Sequence, residues 1–269
     1  MRTSSAVRQR STSLGQENGS DVWTEAQHAP FTSDARNYRF VALQPIVNRH
    51  GKIFGNEALS PSGWDICFTG HPNAATWMMV EDWLLHGLDE LARGSRTFLN
   101  CTREALIGGL LTVLPRTVVI ELPETIEPDA ETLKACRRMK ALGYQIALDD
   151  FQFSGRTAPL IELADYIKVD FRLCGQEQRG ELVRFLRGSR ITLLAEKIET
   201  KDEFEIAVEQ GFHLFQGYYF GRPAIYSKRR RGAYIFPPFE DVGLTHICAD
   251  VDPEPGSLAH ASSSIAMAK

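Results

Sequence analysis

Gly143-Tyr144-Gln145-Ile146-Ala147-Leu148-Asp149-Asp150-Phe151 is the stretch from which the fold can be read. Five mostly apolar residues suit a strand buried on both faces, and they run into two adjacent carboxylates, which a protein core does not accept without compensation. Neighbouring residues of a strand point to opposite sides, so two adjacent acids can serve one site only where the strand ends and the backbone turns. The stretch predicts a strand with Asp149 and Asp150 at its carboxyl end and a cation as their partner. Read alone, it is equally compatible with a loop carrying two solvated acids, because Asp is favoured at loop starts.

Working outward, the same beat of short apolar strand and helix recurs. Thr97–Asn100 leads into a helix over Thr102–Leu114, Val118–Glu121 into Pro128–Leu142, and Ile146–Asp149 into Ala158–Leu163. Tyr166–Asp170 precedes Glu177–Leu186, Ile191–Glu196 precedes Lys201–Gln210, and His213–Gln216 closes the series. Upstream, Phe40–Val47 and Lys52–Leu59 read as strands joined by the turn Asn48-Arg49-His50-Gly51, an opening hairpin. Asn73 to Arg93 carries Trp77, Val80, Leu84, Leu88 and Leu91 at helical spacing, a stripe that reads as core. Strands alternating with helices imply a parallel sheet, and eight strands counting the hairpin predict an α/β fold: a (β/α)8 TIM-like barrel with an N-terminal hairpin. An open doubly wound sheet fits less well, since no glycine-rich phosphate loop follows the first strand.

Residues 1–37 are rich in Ser, Thr, Gln, Arg and Asn and are expected to be a disordered arm. The barrel is expected over 38–240, with an edge segment near Ala233–Phe239, and 241–269 as a disordered tail. A net charge of −4 argues against a broad DNA- or RNA-binding face; the basic run Lys228-Arg229-Arg230-Arg231 reads as a solvated tail. Five cysteines, odd in number and never spaced Cys-x-x-Cys, fit a reduced, cytoplasmic protein without a disulfide framework or zinc site. No apolar run is long enough to cross a bilayer, so stable membrane insertion is not expected.

The residues expected to close the strands are Glu57, Asn100, Glu121, Asp149 with Asp150, Lys168, Glu196 and Gln216. In a barrel these side chains converge on the carboxyl-terminal rim, where active sites lie. Any one of them could merely cap the next helix; the recurrence is what points to a site. Carboxylates and an amide oxygen, without His or Cys in the pattern, are hard ligands suited to Mg²⁺ or Mn²⁺. Two such ions sharing a carboxylate are machinery for phosphodiester hydrolysis, with Lys168 orienting a water and Glu196 taking its proton or holding the second ion.

These residues resemble the motifs of the EAL-domain phosphodiesterases of bacteria, which cleave cyclic di-GMP to linear pGpG. The matching segments are Gln44-Pro45-Ile46-Val47, Glu57-Ala58-Leu59, Phe98-Leu99-Asn100, Glu121-Leu122-Pro123-Glu124, Leu148-Asp149-Asp150-Phe151, Ile167-Lys168-Val169-Asp170, Ala195-Glu196 and Gln216-Gly217-Tyr218-Tyr219-Phe220-Gly221-Arg222-Pro223. They span residues 38–226 in the family's order. The resemblance implies Glu57, Asn100, Glu121 and Asp149 as ligands of a first metal, with Asp149 shared and Asp150 and Glu196 serving a second. It implies Lys168 as the residue that positions the attacking water, Gln44 and Gln216 as substrate contacts, Glu124 as a brace for the loop after Asp150, and a homodimer.

Three departures stand out. Pro61 replaces an Arg that usually meets a substrate phosphate, which is expected to weaken binding; Gln152-Phe153-Ser154-Gly155 replaces a Gly-Thr-Gly loop; and Lys197 stands where the family has Gly. The segments around Lys197 and Gln216 resemble the subgroup usually fused to an HDOD domain, and with no segment of that size following, the expectation is of the EAL module alone. The alternative to an enzyme is a catalytically silent cyclic di-GMP receptor or protein-interaction module.

Overall fold

The turn at Asn48–Gly51 starts the barrel. The Asn48 side chain accepts from His50 N and Lys52 N, at 2.9 and 3.1 Å, and Gly51 takes a φ of +70° that a side chain would strain. This closes a hairpin of β2 (Tyr38–Asn48) on β3 (Ile53–Leu59) in antiparallel register, with Gln44 opposite Glu57. The structure, a computed structural model, describes residues 24–25, 38–59, 76, 79–81, 83, 87–92, 94–151 and 157–229. The chain divides into the units Met1–Ala233 and Tyr234–Lys269, and all described residues belong to the first.

From β3 the sheet continues through β4 (Arg96–Asn100), β5 (Val118–Leu122), β6 (Gln145–Leu148), β7 (Tyr166–Asp170), β8 (Thr192–Glu196) and β9 (Leu214–Phe215), every neighbouring pair parallel. Pairing of β9 with β2 closes the ring, so the barrel has eight strands, of which β2 alone runs antiparallel to its neighbours. A further strand, β10 (Ala224–Arg229), lies antiparallel on β2 and in turn pairs with β1 (Thr24–Glu25). Thr24 and Glu25 thus form a strand inside the arm expected to lack order; the rest of 1–37 lies outside the described residues, as do the expected edge segment at 233–239 and the tail. Lys228 corrects the reading of its basic run as a solvated tail: it sits in β10 and is buried. Arg230 and Arg231 lie outside the described residues.

Helices follow the strands as expected, with two breaks. The segment after β4 is not one helix over Thr102–Leu114. Instead α2 (Arg103–Ile107), capped by Thr102 Oγ1 accepting from Ala105 N, stops before Gly109, whose φ of +77° no helix continues; a 3-10 turn, Leu110–Val113, follows. Ahead of β4, the stretch expected as one helix over Asn73–Arg93 is interrupted: Thr76, Met79–Glu81 and Trp83 are helical, Gly87 takes a φ of +64° that no right-handed helix continues, and the short α1 (Leu88–Ala92) follows; Trp77 and Leu84 of the expected stripe fall outside the described residues. The remaining helices are α3 (Ala130–Ala141), α4 (Ala158–Ile161), α5 (Gln176–Phe185) and α6 (Lys201–Gln210).

Strand alternation sorts the side chains into two apolar sets. Facing the helices are Val41, Leu99, Ile120, Ile146, Leu148, Ile167, Val169, Leu193, Ala195 and Phe215, packed with Met139, Leu160, Leu182 and Ala207. Inside the ring sits a smaller cluster of Ile46, Phe98, Val119, Ala147, Tyr166, Leu194 and Leu214, with Tyr166 edge-on to Phe98 at 5.1 Å. Residues two apart on a strand share a face. Two residues further toward the mouth, the same seven strands therefore present Gln44, Asn100, Glu121, Asp149, Lys168, Glu196 and Gln216. Layered filling of a barrel interior thus puts an apolar floor beneath a polar layer.

Candidate functional site at the barrel mouth

The polar layer is built around one ammonium group. Lys168 is fully buried, and its Nζ lies 2.7 Å from Glu121 Oε1, 2.9 Å from Asp149 Oδ1, 2.9 Å from Glu196 Oε1 and 3.5 Å from Glu57 Oε2. Five strands supply these groups, so only the closed barrel brings them together. Not all of them end their strands as expected. Asn100 and Glu196 do, and Asp149 follows the last residue of β6; Glu57 and Glu121 lie within β3 and β5, and Lys168 stands midway along β7. Its four-carbon stem carries the charge up to the acids, so a lysine need not end a strand to reach the mouth.

Around this centre runs a chain of amides. Gln216 Nε2 donates to Glu57 Oε2 at 2.6 Å and to Gln44 Oε1 at 3.1 Å; Gln44 Nε2 donates to the Gly221 carbonyl at 3.2 Å, and Asn100 Nδ2 to Glu57 Oε1 at 3.4 Å. The backbone beside Gln216 depends on Gly217, whose φ is +151°: a Cβ there would meet Ile198 O at 2.1 Å. Gln44, Glu57, Asp149, Asp150, Glu196 and Gln216 all line a cavity of about 360 Å³, together with Arg172, Lys197 and Tyr218. A second cavity, of about 420 Å³, lies between Asp150 and α5 and includes Glu124, which is exposed; the loop that Glu124 was expected to brace falls outside the described residues, as does Pro61.

Four buried or half-buried carboxylates share one ammonium, and their charge is not balanced. Burial raises the Glu121 pKa well above the usual carboxylate range; Lys168 opposes this, while Glu57 and Asp149 add to it. Burial likewise pushes Glu196 up to about 8, against Lys168 and with help from Asp149 and Glu57. Burial disfavours the Lys168 ammonium, but the attraction of Glu121, Glu196, Glu57 and Asp149 outweighs it and holds its pKa well above normal. Lys168 Nζ and both Glu121 oxygens are buried without a hydrogen bond of good geometry, so charge pairing alone accommodates them.

This donor set fits a hard divalent cation: oxygen ligands, surplus negative charge and the Glu121 oxygens free of hydrogen bonds. As they stand, no three His, Cys, Asp or Glu side chains among the described residues are arranged to hold a metal ion. The ammonium of Lys168 is where the acids now meet.

Two residues at the mouth were not expected from the sequence to act there. Asp170, at the end of β7, accepts from Arg172 N, Leu173 N and Lys197 Nζ, and Arg172 pairs with Glu199 on the rim. Asp170 and Glu196 are register partners on β7 and β8, which sets Lys197 beside Asp170. That adjacency is a fact of the sheet, with no signal in either local sequence.

A closed α/β barrel with a lysine-centred acid cluster in its mouth is the class that fold and site define. Residues 94–223 of the chain match the family model described as an EAL domain. It is 35% identical over 214 residues to the cyclic di-GMP phosphodiesterase CdgJ of Vibrio cholerae, an alignment covering 77% of this chain and 48% of that protein. It is 31% identical over 209 residues to YuxH of Bacillus subtilis, covering 75% and 51%. The chain thus spans about half the length of these curated relatives. Among solved structures it resembles Klebsiella pneumoniae BlrP1 in a manganese and cyclic di-GMP complex, with TM-score 0.58, 26% identity, and coverage of 77% of this chain and 63% of that one. No helix among the described residues is long and apolar enough to cross a membrane.

Proposed function

We propose that the chain hydrolyses cyclic di-GMP to linear pGpG. The observation that carries this reading is the convergence of Glu57, Glu121, Asp149 and Glu196 on Lys168 at the mouth of the barrel, with Asn100, Gln44 and Gln216 hydrogen-bonded into the same layer. Likeness to a phosphodiesterase and to a cyclic di-GMP complex names the substrate class.

In this reading Glu57, Asn100, Glu121 and Asp149 hold a first Mg²⁺ or Mn²⁺, and Asp149, Asp150 and Glu196 a second. When bound, the two ions would polarise the phosphate and lower the pKa of the attacking water. Lys168, already held among the acids, orients that water and offsets charge on the phosphate. Glu196 takes the water's proton or serves the second ion. Gln44 and Gln216 turn amides toward the substrate from the wall of the cavity. Glu124 braces the loop after Asp150. The barrel module is taken as residues 38–240, working as a homodimer in a cytoplasmic setting.

One observation favours a second reading, a receptor that binds cyclic di-GMP without cleaving it. Pro61 stands in place of the usual phosphate-binding Arg. Replacing Asp149 with Asn separates the two. An enzyme loses pGpG formation at least about a hundredfold while keeping its fold by circular dichroism, whereas a receptor forms no product before or after the change.

A further inference from the structure

Asp150 and Lys197 are the two non-glycine residues with positive φ among the described residues, at 43° and 58°. They follow directly on Asp149 and Glu196, and they meet at the mouth: Lys197 Nζ lies 3.7 Å from Asp150 Oδ1 and 2.5 Å from Asp170 Oδ2. A left-handed backbone is costly for a residue with a Cβ and persists where the surroundings over-determine it. Glycine would take the Lys197 conformation freely. What lysine adds is an ammonium group, and its position is set by Asp170, whose other oxygen is held by Arg172 N at 2.8 Å and Leu173 N at 3.0 Å.

The two adjacent acids that close β6 are therefore served by separate cations of the protein, Asp149 by Lys168 and Asp150 by Lys197. The two contacts differ. Lys168 is buried among four carboxylates, whereas Lys197 is half exposed, held closely by Asp170 and loosely by Asp150. Asp150 Oδ1 is buried and takes no hydrogen bond, so the lysine charge is its nearest compensation.

We infer that Lys197 is a positioning residue that supplies part of the positive charge Asp150 would otherwise take from a second divalent ion, and so weakens uptake of that ion. This rests on the reading of the mouth as a divalent-cation site. Because Asp170 keeps hold of the ammonium, Lys197 can yield Asp150 without leaving the rim.

The test is titration of the full chain with Mn²⁺ by calorimetry, without substrate, for the wild type, Lys197→Gly, Lys197→Asn and Lys197→Arg. The expected result is one tight and one weaker step in the wild type and in Lys197→Arg, with the second step strengthened about tenfold or more in Lys197→Gly, as removal of a charge a few ångströms away predicts. Lys197→Asn, which tolerates a left-handed backbone, should behave as the glycine variant does and guards against an effect of backbone freedom alone. Two steps unchanged by Lys197→Gly, or Lys197→Arg behaving like Lys197→Gly, would overturn this inference and leave the two-ion reading standing. Absence of Mn²⁺ binding in every form would overturn both.

Discussion

Lys168 Nζ and Glu121 Oε1 stand 2.7 Å apart with both side chains sealed from water, each strand presenting its residue two positions above the apolar floor of the barrel. Such a pair is costly to bury and more costly to break. Lys168→Met should therefore destabilise the ion-free protein by about 3–5 kcal/mol, because four carboxylates lose their shared cation. Mn²⁺ should restore more of the loss than it adds to the wild type. Thermal melts with EDTA and with Mn²⁺ check this; equal melting of variant and wild type in EDTA would contradict it.

The imbalance of charge also sets a pH dependence. The folded pKa values of Glu121 and Glu196 lie above their unfolded ones, Glu196 at about 8, so the folded state binds protons that the unfolded state releases. Their contribution is present below the unfolded pKa and is lost as pH rises through the folded one. Stability of the ion-free protein should fall between pH 5 and pH 8. Lys168, with its pKa raised, loses its contribution only at alkaline pH, and Asp170, with its pKa lowered by Lys197 and two backbone amides against burial, loses its own only in acid. Urea midpoints across that range, with and without Mn²⁺, read the effect; bound ions should flatten the slope.

Gly217 tests the rim. Alanine there would set a Cβ 2.1 Å from the Ile198 carbonyl oxygen and force the chain apart beside Gln216. Gly217→Ala should cost at least about 2 kcal/mol of stability and should weaken cyclic di-GMP binding through loss of the Gln216 to Glu57 hydrogen bond. Chemical denaturation and a direct binding titration measure the two effects.

Pro61 bears on affinity. If its replacement of Arg removes a phosphate contact, Pro61→Arg should lower KM severalfold with little change in kcat. An unchanged KM would contradict that role for Pro61.

Much of this architecture was legible in residues 40–216. The hairpin, the order of strands and the set of mouth residues follow from period-two apolar runs, turn residues and acids recurring at one point of the repeat. Strand ends were less legible, since Lys168 reaches the acids from mid-strand by the length of its side chain. The pairing of Lys197 with Asp170 was not legible at all, because it arises from the register of β7 on β8. The break in the helix after Asn100 had a signal, Gly108-Gly109, outweighed by the leucines around it.

The central claim is tested most directly by incubating the chain with cyclic di-GMP and separating the products by chromatography, in parallel with Mg²⁺, with Mn²⁺ and with EDTA. The acid cluster around Lys168 predicts linear pGpG in the presence of either ion and none in EDTA. Cyclic di-GMP recovered intact under all three conditions would contradict it.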